Sequence, residues 1–236
     1  MIEDSDTTME TAWLSEKRAQ IVIKNLNKKH IDACYVPNRK EALSKILEMI
    51  PEHARVVRGD SITLEQVGVI SELKKRGRNP LVDPFEKNEN GQFIYQSEQA
   101  EELYREAFRA DVFLAGTNAI TLDGKLVSTD GKGNRVAPVI FGPKKVILVA
   151  GVNKIVEDVD EGRKRIRDIC APLDARRYIM KFGQKEYGDL PCAKTGICND
   201  CKHDLRFCCY TVIIEAASIT EHGRISVVII GEPLGY

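Results

Sequence analysis

The sequence has no excess of charge of either sign. Its 236 residues include 35 Lys and Arg and 35 Asp and Glu, so the formal net charge at pH 7 is +0. A protein that binds nucleic acid or an anionic membrane through its overall charge carries a basic excess. The balance excludes that mode of binding, and we expect neither nucleic acid nor a membrane among the partners.

A long apolar run is also missing. A membrane-spanning helix needs about 20 consecutive apolar residues, and no segment approaches that length. The N-terminal stretch MIEDSDTTMETAWLSEKRAQ is acidic and has neither the basic start nor the apolar core of a secretory signal. These features predict a cytoplasmic protein.

The chain contains no internal repeat and no low-complexity linker, so we expect one α/β domain over residues 1–236. Its first part, 1–30, is predicted to be a helix, and 190–210 forms a cysteine-rich loop. The apolar runs DVFLAGT, KKVILVAG and RISVVIIGE are separated by helical patterns. Strands buried on both faces have such runs, which predicts a mainly parallel sheet with helices on both faces.

Two other segments carry specific predictions. The stretch SITLEQVGVISELKKRG has helical periodicity and ends in basic residues and Gly77, so it is predicted to be one continuous helix. Residues 79–91 contain two prolines and many polar residues and are predicted to be a surface connection.

Ligands of parallel sheets bind beyond the carboxyl ends of the strands, which directs attention to the loops after Val57, Leu114, Val149 and Ile230. Glycines there allow close backbone approach, and an arginine can hold an anion by two hydrogen bonds. The candidate ligand-binding residues are Gly59, Ser61, Gly116, Thr117, Asn118, Gly131, Gly133, Asn134, Arg135, Asn153 and Lys154.

Two carboxylates in the same segment are candidate catalytic residues. Asp123 and Asp130 would orient a ligand hydroxyl or act as acid or base if burial raised their pKa. A structural interpretation competes with this one, because LDGK and TDGKGN are also ordinary turn sequences. Likewise, Ser61 is suited to capping a helix, and Asn153 and Lys154 to a solvated helix start.

Five of the seven cysteines are concentrated near the C-terminus, in PCAKTGICNDCKHDLRFCC. Cys192, Cys198, Cys201 and Cys208 have C-x5-C-x2-C-x6-C spacing, and Cys209 is an alternative fourth ligand. Such crowding in a reducing compartment predicts a metal site rather than disulfides. Zinc would make the loop a structural clasp and an iron–sulfur cluster would make it an electron carrier, and the spacing leaves both open. Free thiols packed under the last strands are the alternative.

The segments GTNAITLDGKLVSTDGKGNRVAPVIFGPKKV and PCAKTGICNDC resemble the LUD family, the domain found in lactate-utilisation proteins. The resemblance runs from about Ala54 to the C-terminus. It implies a Rossmann-like α/β sheet, as in ribose-5-phosphate isomerase and coenzyme A transferases, whose strand-end loops bind phosphorylated or acyl ligands. In those isomerases a DG turn and a glycine-rich loop surround the substrate, and residues 116–118, Asp123, Gly124 and 130–135 occupy comparable positions here.

Three functional hypotheses remain open. The first is an oxidoreductase component of the lactate-utilisation kind, in which a cysteine-bound centre passes electrons to a redox partner protein and the cleft holds a small anionic metabolite. The second is a non-redox enzyme of the isomerase or transferase kind with structural zinc. The third is a metabolite-binding or assembly protein without catalysis. Exposed sheet edges make a homodimer the expected oligomer.

Overall fold

The structure is a computed structural model that describes residues 5–95 and 97–236. Within these residues the chain forms ten strands. Numbered in chain order, β1 to β10 are Asp32–Val36, Val56–Arg58, Leu81–Val82, Val112–Gly116, Ala119–Thr121, Leu126–Asp130, Lys145–Gly151, Ile155–Val156, Tyr210–Ile214 and Ile225–Ile230.

Nine α-helices lie between or beside these strands in the described part of the chain. In chain order, α1 to α9 are Thr8–Lys28, Arg39–Glu48, Ile62–Val67, Val69–Arg76, Ser97–Glu106, Val136–Ile140, Val159–Arg165, Ala171–Phe182 and Pro191–Thr195. A π-helical turn, Ile166–Cys170, joins α7 to α8.

The main sheet has six strands in the order β1-β10-β7-β4-β2-β3, and every neighbouring pair is parallel. The three apolar runs form β4, β7 and β10. Each of them is buried almost throughout because helices cover both faces. The predicted Rossmann-like α/β architecture with a mainly parallel sheet is confirmed.

Alternate residues of these strands enter two different hydrophobic clusters. In β4, Phe113 packs with Val22 and Leu26 of α1 on one face, whereas Leu114 packs with Ile46 of α2 and Leu73 of α4 on the other. This two-residue period is the geometry of an extended strand, whose successive side chains point to opposite faces. Neither face of the strand is left to solvent.

A second sheet, with the order β8-β5-β6-β9, was not predicted. Strands β5 and β6 form an antiparallel hairpin across the LDGK turn, and β9 continues it. Ala119 and Val127 of the hairpin pack against Ile166 and Cys170 of the π-helical turn. Because β5 and β8 are so short, their sequences carry too little periodicity to reveal them.

Two sequence predictions were wrong in detail. The single helix expected after Ser61 is two helices, because Gly68 adopts a left-handed conformation with φ +81° and ends α3 before α4 begins. Residues 79–91 are not only a connection, since Leu81–Val82 form an edge strand paired with β2. The expectation of a single domain stays a prediction. None of the helices in the described residues has the length and apolar character needed to cross a membrane.

Candidate functional site

The loops after β2, β4, β7 and β10 meet at the carboxyl edge of the main sheet, where the sequence predicted a ligand site. Together with α5, α8 and the cysteine-rich segment they enclose a cleft of about 590 Å³. That volume lies within the range of small-molecule sites. The strand-end loops line it with Asp60, Ser61, Gly116, Thr117, Asn118, Lys154, Gly235 and Tyr236.

The first loop of the cleft is tied to α8 by an ion pair. Arg177 donates from Nη1 to Asp60 Oδ2 at 2.8 Å and from Nη2 to Asp60 Oδ1 at 3.0 Å. Burial opposes ionisation of Asp60, but the hydrogen bonds and charge of Arg177 outweigh it and hold the pKa of this carboxyl below its ordinary value. Asp60 is therefore engaged with Arg177 and does not repel an anionic ligand as a free charge.

Asp130 organises the loop between β6 and α6. Its carboxylate accepts hydrogen bonds from the backbone N–H groups of Gly131 at 3.0 Å, Arg135 at 2.8 Å and Val136 at 3.2 Å. Both carboxylate oxygens are engaged in these contacts. The geometry assigns Asp130 to shaping the cleft wall and gives no specific support to its predicted role as acid or base.

Asp123 does not reach the cleft. It lies in the hairpin turn between β5 and β6, where the Thr121 hydroxyl donates to it and Lys125 is 3.4 Å away. Lys29 of the segment after α1 lies 4.0 Å from the same carboxylate. Gly124 of this turn has φ +80° and abuts the backbone of Asn25, so the LDGK motif serves packing against α1. The structure thus separates Asp123 from the other predicted site residues.

Arg135 and Lys154 line the cleft, and Arg165 is buried outside its lining; the side chains of all three donate only to neutral groups. Arg135 Nη2 donates to Asn118 Oδ1 at 3.0 Å and to the Thr129 carbonyl at 2.6 Å. Arg165 donates to the carbonyls of Asn153 at 3.0 Å and Asn118 at 2.8 Å.

The third cation is Lys154, whose Nζ donates to Thr63 Oγ1 at 3.0 Å. In residues 5–95 and 97–236, no carboxylate lies within 4 Å of any of these three cations. Buried charges in proteins are normally paired. Arg135, which lines the cleft and has no carboxylate within 4 Å of its guanidinium in the described residues, is therefore the group that an anionic ligand would pair with.

Lys154 is the most deeply buried of the three, with 4% of its surface exposed. Burial, together with the guanidinium groups of Arg165 and Arg135, lowers the pKa of its amine from 10.5 to about 7. The sequence suggested a solvated helix start at this position, which is wrong. The tertiary fold covers Lys154 with the C-terminal segment, where Gly235 leaves no room for a side chain beside Thr63 and Lys154.

Other predicted ligand-binding residues hold the loops together. Ser61 Oγ accepts from the Leu64 N–H at 3.3 Å and caps α3. A side chain at Gly116 would collide with Ser61 Oγ. Because Gly116 has none, the loop after β4 can touch the loop after β2. Thr117 is buried, with its hydroxyl 3.0 Å from Ser128 Oγ. Gly59 packs against Phe113 and Arg135.

The remaining predicted residues divide between the cleft and its support. Gly131 and Asn134 line the cleft. Gly133 has φ +85° at the turn into α6. Asn153 lies outside the cleft lining and orders the C-terminal segment, because its side chain accepts from Leu234 N–H at 3.1 Å and donates to the Gly235 carbonyl at 3.2 Å.

The cysteine-rich segment separates its thiols into two places. Cys192, Cys198, Cys201 and Cys208 line one small cavity beside Ala171, the first residue of α8, and Cys208 also lines the main cleft. Cys209 faces the main cleft and is exposed, and its thiol donates to the Arg206 carbonyl at 3.3 Å. The arrangement favours Cys208 over Cys209 as the fourth member of the predicted set. Burial raises the pKa of Cys192, and the nearby Cys198, Cys201 and Cys208 raise it further.

Two observations bear on whether the cysteine cavity could hold a bound centre: the arrangement of its side chains and the hydrogen bonds of Arg206. Among the described residues, no three His, Cys, Asp or Glu side chains are arranged to hold a metal ion. Arg206, however, donates to the carbonyls of Cys201 at 2.7 Å and Cys208 at 2.8 Å, and lies 3.5 Å from Cys208 Sγ. Its Nε is buried without a partner. An anionic thiolate centre would supply the acceptor that this N–H lacks.

The family of the chain follows from comparison with known proteins. The model of the LUD domain matches residues 19–230. The chain belongs to the LUD-domain family. The match starts inside α1 and so extends farther toward the N-terminus than the motifs that begin near Ala54. A search of curated proteins finds no match.

Solved structures resemble this LUD-domain protein at low sequence identity. A DUF162 family protein from Deinococcus radiodurans has a TM-score of 0.50 and 13% identity, with 92% of this chain and 98% of that chain covered. Ribose 5-phosphate isomerase A from Neisseria gonorrhoeae has a TM-score of 0.32 and 17% identity, covering 51% and 54% of the respective chains. Ribose 5-phosphate isomerase from Plasmodium falciparum has a TM-score of 0.31 and 15% identity, covering 50% and 52%. The first of these supports the fold assignment.

Several cleft residues of the LUD-domain protein were missed by sequence reasoning. Asp174 accepts a hydrogen bond from the Tyr236 hydroxyl at 2.6 Å, and burial raises the pKa of Asp174. Tyr187 stacks on Phe207 with centroids 4.6 Å apart, and Tyr178 contacts both rings. These residues come from α8, from the turn before the cysteine-rich segment, from Phe207 within that segment and from the C-terminus, so no single local pattern marks them as one wall.

Proposed function

We propose that this LUD-domain protein is an oxidoreductase component that binds a small anionic metabolite in the strand-end cleft beside a cysteine-bound redox centre. The observation that carries the proposal is the junction of the two cavities. Cys208, Arg206, Phe207 and Ala171 line both the cysteine cavity and the cleft. A centre held by the cysteines would therefore lie next to a bound ligand.

The charge of the cleft floor supports an anionic ligand. Arg135 lines the cleft and its guanidinium donates only to neutral groups, and the loop glycines bring backbone close to the ligand space. A carboxylate or phosphate would pair with a guanidinium that has no carboxylate within 4 Å among the described residues. The volume of about 590 Å³ leaves room for a second, planar portion of the ligand beside the aromatic wall.

The four thiols Cys192, Cys198, Cys201 and Cys208 would hold the centre, and zinc or an iron–sulfur cluster remains open. An iron–sulfur cluster would supply one-electron transfer, whereas zinc would supply structural support. Around such a centre the protein would supply a positive charge and would fix the conformation of the cysteine-rich segment. Arg206 spans two carbonyls of the segment and faces Cys208, so it would offset the negative charge of the thiolates.

The decisive experiment is purification without oxygen, followed by measurement of zinc, iron and acid-labile sulfide and by the visible absorption spectrum. Iron with matching sulfide and a band bleached by dithionite would support the redox proposal. One zinc per chain without colour would contradict it and favour the non-redox enzyme. Absence of metal from anaerobic protein, with or without reconstitution, would contradict both metal hypotheses and leave the metabolite-binding or assembly protein.

Three further expectations belong to this proposal. We propose a cytoplasmic protein, because reduced thiols are kept in that compartment. We propose a redox partner protein that contacts the exposed side of the cysteine-rich segment. We also propose a homodimer, and apolar side chains of α1 such as Trp13, 60% exposed, are available to bury in it.

A further inference from the structure

Lys154 is a primary amine placed where the sheet presents its ligands. It ends the short 3-10 turn Val152–Lys154 directly after β7, and its side chain lines the cleft. The only hydrogen-bond partner of Nζ in the described residues is the Thr63 hydroxyl at 3.0 Å. In the described residues, no carboxylate lies within 4 Å of Nζ to stabilise the charged ammonium form.

The surroundings of Lys154 disfavour a role as a simple positive charge. A lysine that attracts an anion as an ammonium ion is normally exposed or paired with a carboxylate. Here burial and two guanidinium groups act together, so the pKa of the amine falls to about 7. At pH 7.5 its unprotonated fraction exceeds that of an ordinary lysine on the order of a thousandfold.

An unprotonated primary amine has a lone pair that can add to a carbonyl carbon. Lysines desolvated beside another cationic group are used in this way for covalent catalysis. Arg135, which lines the same cleft, would hold a carboxylate there. A ligand with a carbonyl next to its carboxylate would then present the carbonyl carbon toward Nζ.

We propose that Lys154 is a nucleophile that forms an imine with a small 2-oxo acid bound at the floor of the cleft. This inference rests on the proposed anionic-metabolite cleft, but it does not depend on the cysteine centre.

The reaction is balanced without an oxidant or reductant. Lys154 Nζ adds to the carbonyl carbon, the carbonyl π electrons move to oxygen, and proton transfer from nitrogen to oxygen gives a carbinolamine. Loss of the hydroxyl group and the remaining N–H proton as one water molecule leaves a C=N bond. No atom changes oxidation state by an external electron transfer.

The test is chemical trapping with pyruvate as the probe. Full-length protein is incubated with pyruvate and sodium cyanoborohydride, which reduces the imine to a stable secondary amine. Intact-mass measurement and peptide mapping then locate the adduct. Apart from the N-terminal amine, whose ordinary pKa is about 7.7 and which peptide mapping separates, we expect at least about tenfold more adduct at Lys154 than at any other lysine, because the other lysines are mostly protonated.

Two variants sharpen the result. Lys154→Arg keeps a cation but removes the nucleophile, so trapping should be lost. Lys132→Arg is the matched control, because Lys132 lines the same cleft but is exposed and paired with Glu101 at 3.2 Å. Trapping in that variant should match the wild type. The mapping of the wild-type adduct decides the question even if Lys154→Arg fails to fold.

An adduct spread evenly over surface lysines, or located elsewhere, would overturn the inference. The same holds if pyruvate, 2-oxobutyrate and 2-oxoglutarate all leave Lys154 unmodified. Calorimetric titration with the same acids separates the two proposals. Binding without an adduct would refute the nucleophile and leave the anionic cleft in place. The proposed redox centre is tested separately, by the iron and sulfide content of the protein.

Discussion

Arg177 and Asp60 are joined by two hydrogen bonds, at 2.8 and 3.0 Å, that connect α8 to the loop after β2. This is a tertiary contact across the mouth of the cleft. It leaves both charges mostly buried, with the Arg177 side chain 12% and the Asp60 side chain 22% exposed. The wall carried by α8 is therefore held in place by a charge pair rather than by apolar packing alone.

Arg177→Ala should lower the free energy of unfolding by about 2 to 3 kcal/mol, because the Asp60 carboxylate loses both hydrogen bonds and keeps only Arg58, 3.8 Å away. Urea denaturation of the wild type and the variant measures the change. The double variant with Asp60→Ala is the control, and it should recover part of the loss. Additive losses in the two single variants would contradict a coupled pair.

The same pair predicts a dependence of stability on acid pH. The pKa of Asp60 is lowered in the folded state, so the contribution is complete above the unfolded pKa of about 3.9 and is lost as the pH falls through the folded value. The difference in unfolding free energy between the wild type and Asp60→Asn should be constant from pH 5 to pH 7 and shrink below about pH 4. A difference that grows on acidification would show that the pair is not ionic.

The lowered pKa of Lys154 predicts a dependence of stability on alkaline pH. The folded pKa of about 7 is below the ordinary 10.5, so the unfolded state binds more protons between these values and stability should rise with pH there. Lys154→Met removes this term. The free energy of unfolding of the variant minus that of the wild type should be at least about 2 kcal/mol larger at pH 7 than at pH 10.5. Thermal unfolding at several pH values measures it, and a pH-independent difference would refute the shifted amine.

Arg135→Gln should weaken binding of pyruvate about tenfold, since the loss of one charged hydrogen-bond donor to a carboxylate is worth about 1.4 kcal/mol or more. The amide retains part of the bonding to Asn118 and Thr129, so the fold should survive. Isothermal titration calorimetry gives the affinity, and far-ultraviolet circular dichroism checks the fold. Lys132→Gln is the control at an exposed position of the same cleft, and equal affinities in both variants would exclude Arg135 from binding.

The two neighbouring cysteines should differ in their effect on bound metal. Cys208→Ser should remove most of the metal because Cys208 shares a cavity with Cys192, Cys198 and Cys201, whereas Cys209→Ser should retain it. Cys198→Ala should also lose the metal and destabilise the C-terminal region. Cys34→Ser serves as the control because Cys34 is a half-buried residue of β1. An unchanged metal content in Cys198→Ala would contradict the assignment of these cysteines as metal ligands.

Sequence patterns were sufficient for the elements with a strong period. The apolar runs of β4, β7 and β10 announce strands buried on both faces, and the amphipathic helices between them imply parallel connections. The same reasoning located the strand-end loops that form the cleft. It failed at Gly68, where helical periodicity continues across a residue whose left-handed backbone ends the helix.

The roles of individual polar residues depend on contacts with other segments of the folded chain, which no local sequence pattern encodes. Asp123 and Asp130 looked alike in sequence, since each precedes a glycine in a turn. The hairpin packs Asp123 beside α1, whereas the following loop folds three amides onto Asp130. Chemistry of the residue type was predictable, but its surroundings were not.

The sequence by itself determined the fold class, the family and the cysteine spacing, because each depends on residues that are near one another along the chain. Tertiary structure alone decided that Lys154 is buried beneath Gly235 and Thr63, that Arg177 reaches Asp60, and that Cys208 joins the other three thiols while Cys209 faces the cleft. The physical reason is that burial and charge pairing are set by segments far apart in sequence, which only packing brings into contact.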